Sequence, residues 1–151
     1  MPLPDIFNPQ ETEKLASRIQ SLTPQSQPLW GKMTVAQMLA HCSVPYEIDP
    51  KNPPKAGFFM KWMIKTFFRS TLVNERPYQK NIQTAPHFKM VDEKDFHRQQ
   101  LRLISLIRAG HGMGAGYYEG LPHYVLGPLS SSEWNNLLYK HLDHHLRQFG
   151  A

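Results

Sequence analysis

The chain has 151 residues, 17 Lys plus Arg against 12 Asp plus Glu, eight His and one Cys. That length suits one domain, and a 40% hydrophobic fraction supplies a core and argues against wholesale disorder. One cysteine excludes an intrachain disulfide framework and a thiolate-only zinc site, and no apolar run approaches the roughly 20 residues of a membrane span.

The first predicted helix runs from about Pro9 to Ser21. Asn8 is its N-cap, Pro9 suits the first helical position, and Leu15, Ile19 and Leu22 share a face. Thr23 to Gly31 reads as a connection. The second helix begins at Thr34, where Thr34 and Gln37 form a capping box. Val35, Met38, Leu39 and Cys42 form its apolar stripe, with His41 at the edge. Pro45 kinks or ends this helix, and Asp49 to Pro54 is a break.

Ala56 to Leu72 is a third helical segment, rich in Phe, Met and Trp, with Lys61, Lys65 and Arg69 forming a charged strip. A basic amphipathic helix can lie on a membrane surface. The wide apolar arc instead favours a helix packed on the bundle or at a dimer interface, lysines toward water. Val73 to Val91 is a long connection. The next helix spans about Asp92 to Arg108. Gly110 to Gly127 holds six glycines and reads as a mobile loop beside a pocket. Its Gly112-x-Gly114-x-Gly116 lacks the Lys-Ser/Thr and strand of a phosphate loop. The last helix starts near Ser131, capped by Ser130 and Glu133, and ends at Gln148 or Phe149 before Gly150. No segment alternates as a hairpin strand does. The expected fold is all-α, with four principal helices and an extra one between the second and third.

Histidine carries the chemistry. On a wheel of about 100° per residue, Trp134, Leu137, Leu138, His141, His145, Gln148 and Phe149 share one arc, while Lys140 and Asp143 point away. Two buried imidazoles need hydrogen-bond partners or a ligand. At i, i+4 both can reach one metal ion. The alternative is two histidines hydrogen-bonded separately in a helical core. His41, the remaining histidine in a core helix, is the candidate third ligand. Three neutral imidazoles suit Zn, Ni or Fe as divalent ions and leave a coordination position open. His144 lies at the arc's margin and His123 precedes the helix; both are acid/base candidates. His87, His97 and His111 read as surface or loop residues. Cys42 reads as core.

Two motifs resemble the DinB-like superfamily. Trp30-Gly31-Lys32-Met33-Thr34-Val35-Ala36-Gln37-Met38-Leu39-Ala40-His41-Cys42 is similar to its second-helix signature, and Tyr139 through Gly150, with His141-Leu142-Asp143-His144-His145, to its last-helix signature. Pro77 to Phe88, with Lys80-Asn81 and Thr84-Ala85-Pro86, and Pro122-His123 through Gly127-Pro128-Leu129 to Glu133-Trp134 resemble an uncharacterised branch. The resemblance implies one domain over residues 1–151, an up-down-down-up four-helix bundle, often a homodimer. It also implies a divalent metal on His41, His141 and His145. Characterised relatives include metal-dependent transferases that use low-molecular-weight thiols.

The sequence therefore points to a metal-dependent protein acting on a small-molecule substrate, as a thiol transferase or as a hydrolase using activated water. A non-catalytic metal- or ligand-binding bundle is the other reading. The dispersed basic residues give no nucleic-acid tract. No stable membrane insertion is expected, and the absence of a signal-like segment reads as cytoplasmic.

Overall fold

A computed structural model describes residues 2–81 and 89–151. The calls at Thr84, Ala85, Pro86 and His87 lie outside those residues. The described chain is mainly helical: α1 (Pro9–Gln20), α2 (Val35–Glu47), α3 (Phe58–Met63), α4 (Arg69–Val73), α5 (Phe96–Gly112), α6 (Ala115–Tyr118) and α7 (Ser131–Gln148). Strands β1 (Pro122–His123) and β2 (Gly127–Pro128) form a small antiparallel pair, with Pro122 opposite Pro128 and His123 opposite Gly127.

Local chemistry sets the long helices. Asn8 caps α1 by accepting from the Gln10 N–H at 2.9 Å, with Pro9 at the first position. Thr34 and Gln37 cap α2 reciprocally, and Ser130 and Glu133 do the same for α7. Asp95 caps α5, so that helix begins at Phe96 rather than near Asp92. Each cap satisfies N–H groups that a helix start leaves without an intrahelical acceptor.

One apolar core joins these helices. It includes Leu15 and Ile19 of α1, Met38 and Leu39 of α2, Leu103 and Ile107 of α5, and Leu138, Leu142 and Leu146 of α7. Helix α5 packs on α1 and α2, and α7 packs on α1, α2, α4 and α6. Burial of such side chains contributes about 1.5–3 kcal/mol each. Arg18 ties α1 to α7 by donating to Asp143 at 2.9 Å and to the Ala151 carbonyl.

Four expectations are corrected. Helix α5 continues past Arg108 because Gly110 serves packing, not termination. A Cβ there would lie 2.9 Å from Tyr46 Cδ1, so only glycine lets Tyr46 lie against the helix. The extended helix places His111 one turn beyond Ile107 on the inward face, and it is buried, not a surface residue. The region to Gly127, expected as a loop beside a pocket, is the last turn of α5, then α6 and the β1–β2 hairpin, and it does border the cavity. The Ala56–Leu72 helix is instead α3, a π-helical segment Ile64–Phe68, and α4.

Lys140 is also buried, though the wheel turned it away from the main core. Helix α4 docks on that side of α7. The Lys140 ammonium donates to the carbonyls of Thr71 (2.6 Å) and Asn74 (2.9 Å) and to Asn74 Oδ1 (3.0 Å). Asn136 donates to the Val73 carbonyl, and Arg69 pairs with Glu133 at 2.7 Å. Residues 133, 136 and 140 share a face of α7 and grip α4 along its length. The carbonyls at the end of α4, which no helical N–H reaches, thereby gain donors.

Candidate metal centre

His41 sits in the buried middle of α2, four residues before Pro45. Proline has no N–H to give to the His41 carbonyl, so the ladder is interrupted at the candidate ligand while the helix continues to Glu47. His141 and His145 project from α7 across the α2–α7 contact. Their ring centroids lie 5.0 Å apart, and His41 lies 4.8 Å from His141 and 4.6 Å from His145. One ligand nitrogen from each comes within 4.8 Å of the others. Among the described residues, no carboxylate or thiol joins this group.

The donor set fits a divalent ion. Nitrogens about 2.0–2.1 Å from a tetrahedral ion lie about 3.3 Å apart, so small rotations of these rings suffice. His41 Nε2 and His141 Nε2 face each other at 2.8 Å. Two imidazoles meeting through the same nitrogen share one proton at most, and an ion between them would instead use both lone pairs.

His145 already holds the ligand tautomer. Gln148 Nε2 donates to the Trp30 carbonyl at 2.7 Å, which turns Gln148 Oε1 toward His145 Nδ1 at 2.8 Å. Nδ1 therefore carries the proton and Nε2 keeps the lone pair. Gly31 makes this bridge possible. Its φ is +80°, and a Cβ would lie 2.6 Å from Gln148 Nε2. The role of Gln148 was not legible in the sequence, although its place on the histidine arc was the signal.

Burial holds His141 and His145 neutral. It pushes His141 well below the ordinary imidazole value, with the neighbouring histidines His41, His145 and His144 adding to the shift. It lowers His145 to about 3, with His41 adding to the effect and the Gln148 hydrogen bond opposing it. A neutral ring is the form that ligates metal.

The triad lies in the wall of a cavity of about 1410 Å³, with Tyr46, Phe67, His123, Trp134, Leu137 and His144 also in the lining. Both acid/base candidates, His123 and His144, therefore share the triad's cavity. His123 Nδ1 accepts from the Val125 and Leu126 N–H groups, each at 3.2 Å, so its proton is on Nε2. Burial lowers its pKa to about 4, which makes it a neutral donor at pH 7. The His144 ring stands 5.0 Å from that of His145 and 5.6 Å from Trp30. Burial lowers it too; Asp143 opposes the shift, Lys80 adds to it, and a hydrogen bond to the Tyr78 backbone opposes it.

His111, read from the sequence as a surface or loop residue, is buried behind Tyr46, which lines the cavity. Thr12 Oγ1 donates to the Ile6 carbonyl, so it accepts from His111 Nδ1 at 3.0 Å. His111 Nε2 then accepts from the Tyr46 hydroxyl at 2.8 Å. The Tyr46 proton is therefore committed to His111. His97 is exposed. Cys42 is fully buried against Met38 Sδ, and burial raises its thiol pKa.

A family model described as "Protein of unknown function (DUF1569)" matches residues 8–151. No curated protein and no solved structure matches the chain.

Proposed function

The chain belongs to that DUF1569 family of unknown function, and we propose that it is a divalent-metal enzyme of DinB-like four-helix-bundle architecture, a transferase that uses a low-molecular-weight thiol. One observation carries the reading: three histidine nitrogens converge within 4.8 Å in the wall of a large cavity, without a fourth protein ligand among the described residues. Three protein ligands and an accessible position are the pattern of reactive rather than structural sites. An ion there supplies Lewis acidity, which lowers the pKa of a thiol or water that binds it.

The chain's own groups favour a thiol brought from outside. Cys42 is buried with its pKa raised, and it does not line the cavity. Glu47 does line the cavity, but its carboxylate accepts from Arg102 Nε at 2.8 Å and is not poised as a water-activating base. Gln148 orients His145 through Nδ1. His123 offers an Nε2–H to the cavity and can hydrogen-bond a leaving group or a developing anion. The apolar lining from Trp134, Leu137 and Leu138 excludes water from a bound small molecule.

The test is turnover of an electrophile by metal-loaded protein with and without a small thiol, next to ester and amide substrates without thiol. Thiol-dependent turnover lost in His141→Ala supports the reading. Hydrolysis without thiol, or no turnover by a fully loaded protein, overturns it.

A further inference from the structure

The segment from α3 through α4 is docked on one side only. Met63, Ile64, Leu72 and Val73 are half-buried toward the rest of the molecule. Phe58, Phe59, Trp62 and Phe67 turn outward, exposed at 87%, 70%, 49% and 65%. The sequence-based preference for a helix packed on the bundle or at a dimer interface counted both sets as one arc. The structure separates them, and the outward set is aromatic.

These outward rings form a row. Phe59 and Trp62 have centroids 5.8 Å apart, and Trp62 and Phe67 meet edge-on at 5.9 Å. Residues five apart on an α-helix diverge by roughly 140°. The wider turn of the π-helical segment Ile64–Phe68 brings Phe67 back beneath Trp62. The irregular turn thus keeps the apolar face continuous.

The charge carried by this segment has one sign. Between Asp49 and Glu75 stand Lys51, Lys55, Lys61, Lys65 and Arg69, with no acidic residue. Arg69 is engaged by Glu133, whereas Lys51, Lys55, Lys61 and Lys65 are exposed. A second copy laid face to face on this patch would set lysines against lysines. An anionic surface with an apolar interior satisfies both the rings and the ammonium groups.

We propose that the α3–α4 segment is a peripheral docking face for anionic lipid membranes, with Phe59, Trp62 and Phe67 entering the headgroup–acyl boundary and Lys61 and Lys65 meeting lipid phosphates and carboxylates. Met60, Phe67 and Phe68 belong to this face and also to the cavity lining. Docking therefore sets the membrane against the α3 wall of the cavity. This face is independent of the metal assignment.

The test is flotation of the full chain with vesicles of phosphatidylcholine alone and of phosphatidylcholine rich in phosphatidylserine. The wild type should float with the anionic vesicles and not with the zwitterionic ones, and raised salt should weaken the association. Lys61→Glu/Lys65→Glu and Phe59→Ser/Trp62→Ser should each weaken it by about tenfold or more. Both variants alter exposed side chains, and unchanged helical circular dichroism shows that they fold. Failure to float, equal binding to both vesicle types, or no effect of the folded variants overturns the proposal. So does a non-floating dimer that Trp62→Ser dissociates, since the face is then a contact between copies.

Discussion

At the residue scale, the central relation is between Gln148 and His145. The glutamine fixes the histidine's proton on Nδ1, and Gly31 gives the glutamine room to reach Trp30. Loss of such an orienting partner typically weakens metal affinity by about 10–100-fold. Gln148→Leu, similar in size, should therefore weaken divalent-metal binding by about that factor while the helical circular dichroism persists. Calorimetric titration measures it, and unchanged affinity would remove Gln148's positioning role. Gly31→Ala should act the same way, because the new Cβ meets Gln148 Nε2 and the backbone φ is unfavourable.

At the scale of elements, α7 carries the site on one face and grips α4 with another. Lys140→Met keeps the apolar stem but leaves the Thr71 and Asn74 carbonyls without their donor. A hydrogen bond from a charged group contributes about 1.5–3 kcal/mol. Chemical denaturation should show a loss of that size. Burial already lowers the Lys140 pKa to about 8, so part of the gain from its hydrogen bonds offsets the cost of holding the charge there. A variant as stable as the wild type would mean that α4 is held by its apolar contacts alone.

Elements also show what was legible in the sequence. The caps at Asn8, Thr34 and Ser130 are local signals, and they place α1, α2 and α7 closely. The triad was legible because His141 and His145 are one turn apart on an apolar arc and His41 borders the apolar stripe of the second helix. The tertiary partners were not legible. Lys140 looked outward because nothing in α7 announces that α4 covers it. His111 looked exposed because Gly110 and Gly112 resemble helix stops, while Gly110 in fact admits Tyr46. The π-helical segment has no local signature comparable to a cap.

At the scale of the whole molecule, buried neutral histidines link stability to pH. An unfolded imidazole takes up a proton near pH 6.5, whereas burial holds His111 and His123 to about 4. Between these values the unfolded chain binds more protons than the folded one, so stability falls as pH drops from about 6.5 to about 4. For fully buried His111 the loss approaches about 3 kcal/mol, a large part of a total of roughly 5–15 kcal/mol. Metal-free protein should therefore melt at steadily lower temperature through this window, and His111→Gln should show a shallower decline. A flat profile from pH 6.5 to 4 would contradict the burial of neutral histidine.

A bound ion adds stability at fixed pH by mass action, since the triad converges only in the folded chain. The account rests on that convergence, and the most direct measurement is elemental analysis of the untagged protein during titration with Zn²⁺, Ni²⁺ and Fe²⁺. The account predicts one divalent ion per chain, with uptake abolished in His141→Ala and strongly weakened in His41→Ala and His145→Ala. No uptake by the folded wild type, or full uptake by a folded His141→Ala, would contradict it.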